Sequence, residues 1–161
     1  MKLLATLVAA AAALSAIAAP ATAAGPVYVI RHLQKEAGRD PALTAQGSAG
    51  AQRLSHMLAG NGIKAVFATA TRRAQQTGAP LAARLRLPVT TYDPDDTEAL
   101  VKAVVAAGGP VLVVGHSNTV PDLVAAFGGD EPAAIADDEY ETIYVVDPCT
   151  SEVRLLLLTR Q

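Results

Sequence analysis

Two histidines in this chain each stand just past a short apolar run. Val27-Tyr28-Val29-Ile30 leads into Arg31-His32, and Val111-Leu112-Val113-Val114-Gly115 leads into His116. A buried strand that delivers a polar, titratable side chain at its C-terminal end is how open α/β sheets build active sites. Between the histidines lies an arginine pair, Arg72-Arg73. Phosphoryl transfer needs cationic donors around the phosphate oxygens, a nucleophile, and a group that protonates the leaving alcohol. A neutral imidazole can attack phosphorus and hold the phosphoryl group as a phosphoramidate. Arginine forks grip phosphate oxygens in bidentate fashion, which lysine does less well. These residue types in this order have the makings of a phosphate pocket with a histidine nucleophile.

The elements that must position them follow from the patterning. Apolar runs at residues 27–30, 65–68, 89–92 and 111–114 read as strands, and helical periodicity fills the gaps between them. Thr44 can cap a helix to about Ala59 with Gly47, Ala51, Leu54 and Leu58 on one face. That arrangement leaves His56 on the solvent side. A second helix, from Arg72 to Leu85, turns Ala74, Gly78, Leu81 and Leu85 inward and must accommodate Pro80. Asp95-Asp96-Thr97-Glu98 reads as a capping box opening a third helix to about Ala107. A fourth runs from Thr119 to Phe127, with Pro121 and Asp122 in its first turn. After an acidic loop at residues 130–141, segments 142–146 and 153–158 look like an antiparallel pair. The expected fold is a single α/β domain: a mostly parallel, doubly wound sheet with helices on both faces and an antiparallel C-terminal strand pair.

Residues 1–24 read as a cleaved secretory signal peptide. Met1-Lys2 is a short positive start, residues 3–19 are apolar and alanine-rich, and Pro20-Ala21-Thr22-Ala23-Ala24 offers a cleavage site after Ala23 or Ala24. A membrane-spanning helix needs about 20 strongly apolar residues, and no cysteine follows for a lipid anchor. The expected location is therefore periplasmic or secreted, with no stable membrane anchor. Removing Lys2 with the leader shifts the formal charge from −2 to −3. So weak an acidic balance gives no reason to expect nucleic acid as a partner. The single cysteine, Cys149, cannot form an internal disulfide and is expected to be buried and inert. A dinucleotide-binding module is disfavoured, because no Gly-x-Gly-x-x-Gly follows the first strand. No close ligand spacing suggests a metal site, and no cofactor is expected.

Four segments in order resemble the histidine phosphatase superfamily, the phosphoglycerate-mutase-like phosphatases. Arg31-His32 looks like its Arg-His signature, and Leu43-Thr44-Ala45-Gln46-Gly47 like its Leu-Thr-x-x-Gly helix start. Thr69-Ala70-Thr71-Arg72-Arg73-Ala74-Gln75-Gln76-Thr77 is similar to its Ser-x-x-x-Arg-Ala-x-Gln-Thr segment. Val113-Val114-Gly115-His116-Ser117-Asn118 resembles the strand carrying its second histidine. The resemblance implies His32 as the nucleophile that becomes phosphohistidine, and Arg31, Arg73 and His116 as the phosphate clamp. Arg72 falls where the family often has lysine and reads as auxiliary or solvated, and Thr69 stands where a pocket serine is common.

Two departures bear on chemistry. Leu33 follows Arg-His where the family usually has glycine, a trait shared with the looser, small phosphohistidine-phosphatase branch. Larger members place a glutamate acid in an insertion that this chain has no room for. Asp93, directly after the third strand, is the best-placed substitute; Asp95 and Asp96 read as helix-cap residues. Lys35 and Glu36 read as loop charges, Lys35 as one able to reach a substrate phosphate. The expected activity is metal-independent hydrolysis of phosphomonoesters or phosphoramidates on a small phosphorylated substrate. The alternatives are a non-catalytic phosphate-binding protein of the same fold, or an envelope sugar-phosphate (lipopolysaccharide) phosphatase. Oligomeric state stays open.

Overall fold

Residues 25–158 are described by a computed structural model; the expected leader lies outside the described residues. The elements are β1 (Val27–Arg31), α1 (Ala45–Leu58), β2 (Ala65–Thr69), α2 (Arg72–Leu85), β3 (Val89–Tyr92), α3 (Thr97–Ala107), β4 (Val111–Gly115), α4 (Val120–Ala126), β5 (Thr142–Val146) and β6 (Val153–Leu157). They form one six-stranded sheet in the order β3-β2-β4-β1-β5-β6. The pairs β3–β2, β2–β4 and β4–β1 are parallel, whereas β5 runs antiparallel to both β1 and β6. This is the expected α/β architecture with its antiparallel C-terminal end.

Period-two alternation divides the core in two. Tyr28, Ile30, Val66, Ala68, Leu112 and Val114 face a layer made by Leu54 and Leu58 of α1 and Ala74 and Leu81 of α2. Val27, Val29, Phe67, Val111 and Val113 face Leu100 and Val104 of α3 and Val120, Leu123 and Val124 of α4. β1 and β4 are buried along their whole length, which is why they read as unbroken apolar runs rather than alternating ones. The helix after β1 packs on one face and the helix after β4 on the other. Their paired C-terminal ends, where Arg31 lies opposite Gly115, thus form a topological switch point.

Two local expectations need correction, while that for Pro80 holds. The capping residue of α3 is Asp96, whose carboxylate accepts from the Ala99 amide. The expected box closes one residue out of register, and Glu98 pairs instead with Lys102, one turn on. Cys149 is exposed, because it lies in the polar turn between β5 and β6, where its amide donates to Asp147. Pro80 stays within α2 without ending it, at a half-exposed position where solvent can reach the released Gln76 carbonyl. Among the described residues no helix is long and apolar enough to cross a membrane.

Candidate active site

Arg31, His32, Thr69 and His116 are delivered where strands end, and Arg73 comes from the first turn of α2. His32 follows β1, its amide donating to the Gly115 carbonyl at the end of β4, 2.9 Å away. His116 follows β4, and Thr69 closes β2. The rings of His32 and His116 meet edge-on, with centroids 5.3 Å apart at 63°.

The hydrogen bonds fix the tautomers. His32 Nδ1 lies 2.9 Å from the Leu33 carbonyl, which only accepts, so Nδ1 carries the proton. A neutral His32 then holds its lone pair on Nε2. His116 Nδ1 faces Arg73 Nη2 at 3.4 Å, and guanidinium only donates, so here Nδ1 is the acceptor. His116 Nε2–H therefore donates to the Thr69 hydroxyl at 2.9 Å, which sits 3.1 Å from the hydroxyl of Thr71. Burial, followed by Arg73, His116 and Arg31, lowers the His32 pKa to about 4 against the opposing bond to Leu33. Burial, Arg73 and Arg31 likewise bring His116 down to about 4. Both rings are neutral near neutrality, the state a nucleophilic imidazole requires.

This depression has a sign that can be checked. Unfolded histidines take a proton near pH 6.5, while these wait until about 4. The unfolded state binds more protons in that window, so stability is lost as pH falls through it and the loss levels off below about 4. In a proton NMR titration His32 and His116 should titrate near 4. Midpoints near 6.5 for these two would contradict the buried, arginine-flanked environment.

The arginines are not equivalent. Arg31 is 5% exposed, and its Nη1 is committed to the carbonyls of Ala136, Asp137 and Glu139 at 2.7, 3.2 and 3.1 Å. The Tyr140 ring lies over its guanidinium at 4.2 Å. The fork expected to serve phosphate alone is thus half engaged in holding the 130–141 segment. Arg73 contacts His116 and pairs loosely with Asp40 at 3.8 Å. The Nε atoms of Arg31 and Arg73 are buried with no partner among the described residues. Charged donors left so are costly, and a phosphoryl oxygen is the kind of acceptor that satisfies them.

Second-layer contacts explain the motif residues. The Thr77 hydroxyl donates to the Arg73 carbonyl and accepts from the Leu33 amide, joining α2 to the turn after His32. Gln75 reaches the Thr69 carbonyl, and Gln76 accepts from the Leu43 amide. A Cβ on Gly47 would stand 2.1 Å from the Gln34 carbonyl, so only glycine lets α1 approach this turn. Leu33, fully buried in the α1/α2 layer, is absent from the positive-φ residues, so its backbone does not demand the glycine common there. Thr77→Val should cost about 1–3 kcal/mol by stranding the buried Leu33 amide, lowering Tm by roughly 3–10 °C. A calorimetric scan with unchanged Tm would refute that linkage.

The structure gathers Arg31, His32, Thr69, Arg73 and His116. Other candidates lie elsewhere. Arg72 is exposed and contributes its backbone amide to Asp40. Lys35, also exposed, forms a bridge with Leu43. Asp122 sits in the first turn of α4. Asp93 makes no hydrogen bond to either histidine; it follows the edge strand β3, two strands from β4 and three from β1 in the sheet. Its carboxylate accepts from the Asp95 amide within a turn. Sequence reading missed Asp40 and Tyr140; both reach the site from loops whose contacts no local pattern encodes. Among the described residues no three His, Cys, Asp or Glu side chains converge as metal ligands.

Known proteins resemble this chain in one stretch of sequence and in fold. Residues 27–94 match the family model for the histidine phosphatase superfamily (branch 1). No curated protein matches the chain. Among solved structures, the protein histidine phosphatase SixA complexed with tungstate is similar at 22% identity, over 83% of this chain and 97% of that one, with a TM-score of 0.65. The alpha-ribazole phosphatase from Shigella flexneri is similar at 17% identity, over 84% and 96%, with a TM-score of 0.61. A mycobacterial glucosyl-3-phosphoglycerate phosphatase follows at 18%, over 83% and 95%, with a TM-score of 0.62. At these identities the likeness is one of fold.

Proposed function

We propose, from the match of residues 27–94 to the histidine phosphatase superfamily model and from the fold, that the chain is a phosphatase acting through phosphohistidine on His32. The observation that carries this reading is the tautomer of His32: Nδ1–H is held by the Leu33 carbonyl, and burial keeps the ring neutral, so Nε2 presents its lone pair. In the first step Nε2 forms a bond to phosphorus as the bond to the leaving oxygen or nitrogen breaks. In the second, water attacks phosphorus and the electron pair returns to Nε2, releasing inorganic phosphate. Arg73, held against His116 Nδ1, and the Nε side of Arg31 supply fixed positive charge around the equatorial oxygens, which is where charge is spread in phosphoryl transfer.

The Asp93 carboxylate is taken up by its own turn on the edge strand and the Asp40 carboxylate by Arg73 and the Arg72 amide, so neither stands free as a dedicated acid for the leaving group. Substrates whose leaving group needs little help, phosphoramidates and activated esters, are therefore favoured over alkyl phosphates. Positive charge supplied by arginines makes a metal unnecessary to this chemistry. The alanine-rich leader at residues 1–24 supports an exported, periplasmic or secreted site of action on small phosphorylated compounds.

The test is turnover of para-nitrophenyl phosphate between about pH 4 and pH 8 with excess chelator present. The reading expects hydrolysis unaffected by chelator and slower hydrolysis of a simple alkyl phosphate. Phosphate binding without turnover of either substrate would instead establish a binding protein of this fold.

A further inference from the structure

Tyr140 lies in the acidic segment between α4 and β5, which has no helix or strand of its own. Its ring stacks on the Arg31 guanidinium at 4.2 Å and stands 6.1 Å from the His32 ring, tilted by 48°. It packs against the α1/α2 layer yet stays partly exposed beside the nucleophile. The segment is tied at both sides. Arg31 Nη1 binds the carbonyls of Ala136, Asp137 and Glu139, and the Thr142 hydroxyl at the start of β5 donates to the Glu139 carboxylate at 2.9 Å. A wall held this way is pre-organised, and a ligand meeting it pays little for ordering it.

We propose that Tyr140 forms a leaving-group subsite that favours phosphoryl compounds whose remaining part is a flat, weakly polar ring. The inference rests on the phosphoryl-transfer reading of His32. In-line attack at Nε2 places the departing atom about 5 Å from that nitrogen, on the far side of phosphorus. The Tyr140 ring, centred 6.1 Å from the His32 ring, stands beside the nucleophile at a separation that a ring carried on the departing atom can span. Aromatic rings attract one another at centroid separations of about 4.5–7 Å in offset or edge-on arrangements. Arg31 occupies one face of the Tyr140 ring, which leaves its edge and open side for the ligand. Arg31 thus has two tasks: part of its charge serves the phosphoryl group, and Nη1 positions the wall that reads the leaving group.

Binding of phenylphosphonate and methylphosphonate to the full chain tests this without requiring turnover. Calorimetry on the parent protein should show about three- to tenfold tighter binding of the phenyl compound. Tyr140→Phe should preserve that ratio, because the ring carries it. Tyr140→Ala, or Tyr140→Leu if alanine compromises folding, should bring the ratio near one while methylphosphonate binds as before. A ratio unchanged by both substitutions, or an equal loss of both ligands, would overturn the subsite. Preference retained in a protein that hydrolyses nothing would support the subsite and overturn only the catalytic reading. Failure of the parent protein to bind either phosphonate would overturn both.

Discussion

His32→Ala should reduce hydrolysis of para-nitrophenyl phosphate by roughly four orders of magnitude or more, to the level of the uncatalysed reaction. The size of the effect follows from the two-step route. Without Nε2 there is no covalent intermediate, and the other imidazole at the paired ends of β1 and β4, His116, has its Nδ1 lone pair turned to Arg73 and its Nε2–H to Thr69. Inorganic phosphate should still bind, because Arg31 and Arg73 remain. Stability should change little in comparison, since the substitution removes one buried polar contact, the bond to the Leu33 carbonyl. Steady-state kinetics paired with phosphate calorimetry separate these outcomes. Activity that survives His32→Ala would refute the nucleophile assignment, and lost phosphate binding would show that the ring itself holds the anion.

Arg73→Ala should lower kcat/KM by about 10²–10³-fold, the usual cost of losing one pre-organised charge donor in such a site. Arg73→Lys should recover part of this, since a point charge replaces the fork. The substitution carries a second signature. Arg73 holds down the pKa of both His32 and His116, so its removal should raise both, and more for alanine than for lysine. The sign is fixed: losing a nearby cation makes protonation easier. An NMR titration of the variant that shows both histidines unmoved would contradict the electrostatic role, whatever happens to the rate.

The fold was legible because its central strands are buried on both faces and so appear as continuous apolar runs, most plainly in β1 and β4. The helix start at Thr44 was legible because capping is a local contact, here between its hydroxyl and the Gly47 amide. The capping box of α3 was off by one, since Asp95 and Asp96, both read as cap residues, offer the same chemistry and only backbone geometry chooses Asp96. Long-range order was less accessible. Asp93 directly follows a strand, yet its strand lies at the edge of the sheet, and chain order does not give strand order. The engagement of Arg31 joins residues 105 positions apart in sequence, through carbonyls that carry no side-chain signature. Tyr140 was hidden for the same reason, inside a segment that reads only as acidic loop. Cys149 was misjudged by composition, whereas the turn residues around it already pointed to exposure.

The account stands on a covalent bond between His32 and phosphorus. Mixing the protein with para-nitrophenyl phosphate, quenching in base to preserve phosphoramidates, and mapping the modified peptide by mass spectrometry tests it directly. The expected result is one phosphoryl group on His32, absent from His32→Ala and discharged as turnover proceeds. Turnover with no phosphoryl group on His32, or with the group on another residue, would contradict it.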